Sequence, residues 1–340
     1  MLEFLMVDWL SKPIWMWLAF ISLVLVLLAF DLGVLHKKDK ELGIAESLWL
    51  SLFYIGVAVA YGGYVWWSYE AGHLTTTDGT HAGVAFFTGY VLEKSLSIDN
   101  VFVISLIFGY FAIPRKYQYR ALLWGILAVI VLRGIMIGVG AALVREYDWI
   151  LFFFGAFLIF TGLKMLFGAE ADPDIATNPV VRFMKRFMRV SDKLHGDRFF
   201  VREPHPQTGK LVLWATPLFL ALAVINIADL IFAVDSVPAI FAITTDTYIV
   251  YTANIMAILG LRALYFALSA MVHRFEYLKY ALAMVLVFIG GKIFWNHIVG
   301  KADPTISLVV TLGLILGGVL FSLWKTAEVK KNGAKKSEVR

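Results

Sequence analysis

The sequence has no cysteine and few charged residues. Only 16% of its 340 residues are Asp, Glu, Lys or Arg, whereas 60% are hydrophobic. Without Cys the chain can form neither disulfides nor thiolate metal sites. A mean hydropathy of +0.77 is too high for a soluble domain of this length. The composition therefore predicts an all-α polytopic membrane protein.

Two further features are missing. The chain has no GxxxxGK[ST] phosphate loop, so no nucleotide-driven mechanism is indicated. The N-terminus has no basic region followed by a small-residue cleavage site, so we expect the first apolar helix to remain as a membrane span. We expect a bacterial-type inner membrane as the location, no prosthetic group and no enzyme activity. The sequence does not indicate an oligomeric state.

Long apolar stretches dominate the sequence. About 20 apolar residues cross the hydrocarbon core of a bilayer. By that measure the sequence predicts nine membrane-spanning helices, at about 14-35, 46-68, 82-113, 119-144, 148-168, 212-243, 249-272, 277-297 and 304-325.

The basic residues give the predicted orientation. With alternate loops taken as cytoplasmic, 22 of the 30 Lys and Arg residues lie inside, three outside and five within spans. Positive charge collects on the cytoplasmic side of membrane proteins. We therefore predict an external N-terminus and a cytoplasmic C-terminus. This bias explains the net charge of +5, so we expect the lipid bilayer as a partner and no nucleic acid.

Two parts of the chain resemble each other. Alignment of Asp99 with Asp229 also brings Arg133 close to Arg262 and Lys164 close to Lys292. Each part contains three predicted spans, and an odd number forces the two copies to enter the membrane from opposite sides. This is the inverted repeat of many secondary transporters, whose sites lie where the repeats meet. The predicted units are 1-81 with two helices, repeat 1 at 82-168, a basic cytoplasmic linker at 169-211, repeat 2 at 212-297, and 298-340 with the last helix and a basic tail.

Two details of this layout have structural consequences. In the linker, the segment VRFMKRFMRVSDKL has the pattern of a short amphipathic helix at the inner surface. The first helix of each repeat is 32 residues long, more than a straight span needs. Both a tilted helix with a proline kink and a partly unwound helix are consistent with this length.

The charged residues within the apolar helices form the candidate site. Asp99 and Asp229 lie near mid-membrane, and Ser95, Asn100, Asn226 and Ser236 accompany them on the same helices. Carboxylate, amide and hydroxyl oxygens suit magnesium, calcium and manganese, whereas zinc and copper prefer imidazole and thiolate. None of the seven His residues lies near these motifs. The predicted metal ligands are Glu93, Asp99, Asn100, Asn226, Asp229, Asp235 and Ser236.

The remaining charges allow more than one interpretation. Arg133 and Arg262 either balance the charge of the site or join helices through buried ion pairs. Glu93 and Asp235 have no partner in the other repeat, and both are displaced to the outer side of the central aspartates. We hypothesise that these two acids form the outer half of a cation path.

Three motifs resemble the TerC family of integral membrane proteins, which belongs to the LysE transporter superfamily. They read GYVLEKSLSIDNVFV, DLIFAVDSVPAIFAIT and ANIMAILGLRALYF. The resemblance implies manganese export and places the family's acidic motif on Glu93, Asp99, Asn100, Asp229, Asp235 and Ser236. Related sequences often have Glu where this chain has Asn226, so the site here lacks one negative charge.

Three functions compete at this stage. The first is a secondary transporter that exports manganese or a similar divalent cation, with proton exchange. The second is a membrane accessory protein that supplies metal to exported or membrane enzymes together with the secretion machinery. The third is an intramembrane enzyme, but two aspartates six residues apart on one helix are poorly placed to share a proton.

Overall fold

A computed structural model describes residues 7–10, 12–35, 43–71, 79–147, 149–167, 179–191, 193–204, 209–269, 277–300 and 303–338. Eleven helices account for most of these residues. They are α1 (Ile14–Leu35), α2 (Ile44–Glu70), α3 (Gly79–Tyr110), α4 (Arg115–Glu146), α5 (Ile150–Phe167), α6 (Pro179–Phe187), α7 (Pro217–Phe241), α8 (Thr247–Leu259), α9 (Leu261–Leu268), α10 (Leu278–Ile298) and α11 (Pro304–Glu338).

Two short antiparallel hairpins complete the described structure. Strand β1 (Asp8–Trp9) pairs with β2 (Lys12–Pro13), and β3 (Phe200–Pro204) pairs with β4 (Leu211–Ala215). Neither hairpin was predicted. Each lies outside the apolar helices, so the fold remains that of an all-α membrane protein.

Eight stretches of the described chain are long and apolar enough to cross a membrane. They correspond to α1, α2, α4, α5, α7, the pair α8 and α9, α10 and α11. The other predicted span, α3, has 32 residues but carries Glu93, Lys94 and Asp99 in its middle, and these charges lower its hydropathy. The chain is therefore a polytopic helical membrane protein, and the ninth span and the orientation of the termini stay predictions.

The first helices of the two repeats are continuous, and α7 is shorter than predicted. Residues 212-215 were assigned to the span but form part of β4. The helix begins at Pro217, and the hydroxyl of Thr216 accepts a hydrogen bond from the Phe219 amide as its cap. Pro suits the first position of a helix because its missing N–H has no partner there. Pro238 lies inside α7 near its end without breaking it.

The break lies instead in the second helix of repeat 2. Gly260 is both the C-cap of α8 and the N-cap of α9. Lys94 of α3 donates a hydrogen bond of 3.1 Å to the carbonyl of Ala257. A Cβ on Gly260 would lie 2.8 Å from Nζ of Lys94 and 3.1 Å from Cβ of Tyr54. The absence of a side chain at Gly260 therefore lets α2 and the ammonium of Lys94 approach the backbone.

The helices of the two repeats pack against each other in a reciprocal pattern. Helix α3 contacts α8, α4 contacts α7, and α5 lies along α10. In terms of the predicted repeats, each first helix packs on the second helix of the other copy, and the two third helices pack together. The two first helices, α3 and α7, also touch.

The linker between the repeats contains one short helix. Helix α6 covers the first part of the segment predicted to be amphipathic. Its Val181 and Met184 are buried, whereas Phe183 and Phe187 are exposed. The amphipathic helix is thus confirmed, and its contact with the membrane surface stays a prediction.

Glycines allow close contact between α5 and α10. A Cβ on Gly290 would lie 2.6 Å from the carbonyl oxygen of Gly155, and one on Gly162 would lie 2.7 Å from that of Ala283. Small residues let helix backbones approach closely in membranes, where van der Waals packing and interhelical hydrogen bonds drive association. The neighbouring Gly291 has no atom within 4 Å of its Cβ position.

We expect Gly290→Ala to lower the free energy of unfolding by about 1–3 kcal/mol, because the added methyl group overpacks this contact. Gly291→Ala is the matched control and should change it by less than about 0.5 kcal/mol. Thermal unfolding of both purified variants in one detergent checks the difference. Equal shifts in the two variants would contradict the assigned packing.

Candidate functional site

The guanidinium of Arg133 lies at the centre of a polar cluster inside the bundle. Arg133 is near the middle of α4 and only 1% exposed. Its Nη1 atom donates to Oε1 of Glu93 at 2.5 Å, and its Nε and Nη2 atoms donate to the two carboxylate oxygens of Asp229 at 3.2 Å each. One arginine thus bridges a carboxylate from α3 and a carboxylate from α7.

Two amides and a hydroxyl complete the cluster. Asn254 of α8 donates to Oε2 of Glu93 at 3.0 Å and accepts from Arg133 at 3.1 Å. Asn100 donates to Asp229 at 3.2 Å. The hydroxyl of Ser236 accepts from Arg133 at 3.2 Å and interacts with Glu93. We call these six residues the Arg133 cluster: Glu93, Asn100, Arg133, Asp229, Ser236 and Asn254.

The charges of the Arg133 cluster do not cancel. Two carboxylates surround one guanidinium, so with all three ionised the cluster carries one net negative charge. Glu93 and Arg133 are 0% and 1% exposed, and Asp229 is 8% exposed. Removal of one partner from a buried ion pair leaves an uncompensated charge and costs about 3–5 kcal/mol. The cluster therefore binds four helices together, and in its fully ionised form it has one excess negative charge.

The structure brings together five residues that the sequence singled out, namely Glu93, Asn100, Arg133, Asp229 and Ser236. Asp99 lies within α3, but its side chain is outside the described residues. Glu93 was expected at the outer side with Asp235, whereas it bonds directly to the arginine that holds Asp229. In the described part of the chain, the side chains of three other predicted residues, Asn226, Asp235 and Arg262, form no hydrogen bond or ion pair with the cluster.

Asn226 and Asp235 lie on α7 but make other side-chain contacts. The buried Oδ1 atom of Asn226 has no hydrogen-bond partner among the described residues and faces Gly125 of α4, whose Cβ position is 3.8 Å away. Asp235 accepts a hydrogen bond of 3.2 Å from Thr161 of α5. Asp235 therefore lies on a different face of α7 from Asp229.

Arg262 has a different partner from its counterpart Arg133. Its Nη2 atom forms an ion pair with Asp31 near the end of α1, and both side chains are almost fully buried. The guanidinium lies 4.2 Å from the ring centroid of Tyr119. Arg262 therefore connects the helix pair α8 and α9 to the N-terminal helix α1. Of the two interpretations of this arginine, its position agrees with a buried ion pair that joins helices.

Asn254 is not among the site residues predicted from the sequence. Asn254 lies eight residues before Arg262, in a helix otherwise composed of apolar and small residues. A polar residue that is 0% exposed in such a helix needs a hydrogen-bond partner. The repeat alignment did not indicate Asn254 either. The offset between Arg133 and Arg262 aligns Asn254 with Gly125, which has no polar side chain to match it.

A narrow cleft leads to the Arg133 cluster. Asn100 and Asp229 lie at its polar end, and its walls are apolar side chains of α3, α4, α7, α8 and α9. It occupies the half of the bundle that contains the last turns of α3 and the first turns of α4 and α7. With the predicted orientation this is the cytoplasmic half.

Among the described residues, no three His, Asp or Glu side chains are grouped closely enough to hold an ion. The Arg133 cluster contributes two carboxylates, two amides and one hydroxyl, which are oxygen ligands of the kind that hard divalent cations use.

Comparison with known proteins identifies the family. The model of the integral membrane protein TerC family matches residues 78–330. This chain belongs to the TerC family. The match includes every residue of the Arg133 cluster.

Relatives of this TerC-family protein match it over nearly the whole chain. A protein of Rickettsia bellii named "Uncharacterized membrane protein" is 43% identical over 90% of this chain and 96% of its own length. Proteins named "Putative membrane-bound redox modulator Alx" are 41% identical in Photorhabdus laumondii, over 88% of this chain and 93% of their own, and 40% identical in Escherichia coli K12, over 91% and 94%. No solved structure matches. The TerC-family protein is thus a multi-pass integral protein of the bacterial-type inner membrane.

We expect Asn254→Ala to lower the free energy of unfolding by about 1–3 kcal/mol, because it removes the amide donor of buried Glu93. The matched control is Asn226→Ala, which removes a buried amide oxygen that has no partner and should cause no such loss. Thermal unfolding in the same detergent compares the variants. An equal loss in both would show that the Asn254 hydrogen bonds contribute little.

Proposed function

We propose that this TerC-family protein is a secondary transporter that exports a divalent metal cation, with manganese as the main substrate and protons as the exchanged ion. The observation that carries the proposal is the convergence of Glu93 and Asp229 near the middle of their helices. They come from the first helices of the two repeats, and two amides and a hydroxyl surround them. Ionisable residues within membrane spans typically mark the path of an ion.

The ligand chemistry supports the class of substrate. All candidate ligands are oxygen atoms, and oxygen sets suit magnesium, calcium and manganese. The family resemblance selects manganese among these three. Asp229 and Asn100 are the residues at the end of the cleft, so they are the first candidate ligands that a cation from this side would meet. Asp229 would supply charge, and Asn100 would supply its amide oxygen after rotation away from the carboxylate.

The proposed architecture has nine spans and two inverted repeats, with the N-terminus outside and the C-terminus inside. The reciprocal packing of α3 with α8 and α4 with α7 supports this, because a two-fold relation between the repeats exchanges the two pairs. As the ninth span, α3 would turn its charges to the interior. The complete burial of Glu93 and the near-complete burial of Asn100 support this.

Transport would proceed by exposing the Arg133 cluster first to one side and then to the other. Six residues further toward the proposed outer side, Asp235 offers a second carboxylate on α7, on a face turned about 120° from Asp229. Carboxylates bind either a metal ion or protons, so exchange would need no nucleotide. The relatives named as redox modulators suggest another activity, but this chain has no Cys for thiol chemistry.

We expect Asp229→Asn to reduce manganese flux at least about tenfold, because it removes one of two carboxylates and its charge from the site. The measurement is manganese uptake by everted membrane vesicles with an imposed proton gradient. Asp197→Asn is the matched control. Asp197 lies outside the spans, is exposed and forms an ion pair with Arg120, so this variant should retain the flux. Size-exclusion profiles of the purified proteins check that both variants fold.

Absence of manganese-dependent flux in the wild-type protein, in both membrane orientations and with or without the gradient, would contradict the proposed function. Equal flux in wild type and Asp229→Asn would contradict the assigned site.

A further inference from the structure

The oxygen atoms that would bind a metal ion are already bound to Arg133. Its three guanidinium nitrogens reach Glu93, both carboxylate oxygens of Asp229, Ser236 and Asn254, all within 3.2 Å. Divalent cations need oxygen ligands at about 2.0–2.6 Å. The guanidinium lies between the two carboxylates, so a metal ion coordinated by Glu93 and Asp229 together would occupy the space that the guanidinium fills.

The positive charge of Arg133 cannot be removed by deprotonation. The guanidinium keeps its proton under all conditions that proteins experience. A metal ion can thus take the carboxylates only if the guanidinium moves. A protonated carboxylic acid makes its oxygen available to a metal ion when it loses a proton. Arg133 has no such route.

The cleft next to the cluster lies in the direction that the guanidinium would take. Val129 and Ile126, about one and two turns before Arg133 on α4, line the cleft. Long side chains on a helix lean toward its N-terminal end, which is the direction of these two residues. The free space in this cleft is only about that of one water molecule, so the guanidinium can enter it only if the helices that line it move apart.

We propose that Arg133 is a tethered cation that occupies the substrate site when no metal is bound, and that the metal ion binds by displacing it. The inference rests on the proposed function and adds a step to it. With Arg133 in place, the empty site carries one net negative charge instead of two. An ionised carboxylate within the bilayer is costly without a partner, so the tethered guanidinium lowers the cost of the empty site between transport steps.

Arg262 provides an internal control for this role. It has the same residue type, the same 1% exposure and the corresponding place in the second repeat. Its ion pair is with Asp31, outside the Arg133 cluster. Loss of either arginine removes a buried ion pair, but only loss of Arg133 removes a competitor for the carboxylates of the site.

The test is manganese binding to the purified full-length protein, measured by calorimetry in detergent. We expect Arg133→Ala to bind manganese about tenfold more tightly than wild type, because the competing charge has gone. Arg262→Ala should keep the wild-type dissociation constant within about twofold, since a buried pair removed elsewhere lowers stability instead. A merely structural arginine would give equal or weaker binding in Arg133→Ala, and that result would overturn the inference.

Free guanidinium ion provides a second test of whether Arg133 occupies the metal site. This test does not depend on the difference in manganese affinity between Arg133→Ala and wild type. Millimolar guanidinium chloride should weaken manganese binding to Arg133→Ala competitively, because the ion fits the space that the side chain leaves. In wild type, guanidinium chloride and sodium chloride at the same concentration should have the same effect on manganese binding. Equal effects of the two salts on Arg133→Ala would contradict a vacated cation position.

A second variant covers the case in which Arg133→Ala does not fold. Arg133→Lys keeps the charge but loses the planar fork that reaches both carboxylates, so we expect binding about threefold tighter than wild type. No gain in that variant would overturn the inference. If neither wild type nor any variant binds manganese, the proposed function fails and the inference fails with it. If wild type binds and the Arg133 variants bind no more tightly, the inference alone fails.

Discussion

One guanidinium held between two carboxylates connects the helices at the centre of this bundle. Arg133 on α4 bonds to α3 through Glu93, to α7 through Asp229 and Ser236, and to α8 through Asn254. An isolated charge at this depth would be prohibitive, so each member of the cluster is stable only while its partners stay in place. This mutual dependence fixes how the two repeats meet. It also means that any ligand of these carboxylates competes directly with the contacts that hold the bundle together.

The arginines that the predicted repeats pair with each other have different partners. Arg133 points to the interface between the repeats, whereas Arg262 reaches Asp31 in the helix that precedes both. Beside Arg262, Gly260 interrupts the second helix of repeat 2, while α4 of repeat 1 is continuous. The structure is therefore asymmetric at the positions where an inverted repeat would be symmetric. In an alternating-access transporter such asymmetry is expected, because the two copies adopt different conformations in any one state.

Much of the site could be predicted from sequence, for a specific reason. Charged residues are so rare in the apolar helices that Glu93, Arg133 and Asp229 stand out, and the internal repeat predicted Asp99 and Asp229 near mid-membrane. Asn100 and Ser236 were predicted from their places on the same helices, and the TerC motifs include both. The partner of Arg262 could not be predicted, because Asp31 lies outside the repeats and only packing brings α1 to it. Asn254 was missed because a single amide among apolar residues gives a weak signal. The start of α7 was misplaced, because LVLWA is as apolar as a span and only its pairing with β3 separates it from the helix.

The central claim is that the Arg133 cluster is the place where the cation binds. The most direct measurement is an experimental structure determined with manganese present, in which anomalous scattering locates the ion. The account predicts an ion coordinated by oxygens of Glu93 and Asp229, with the guanidinium of Arg133 turned into the cleft. An ion bound elsewhere, with Arg133 still bridging the two carboxylates, would contradict it.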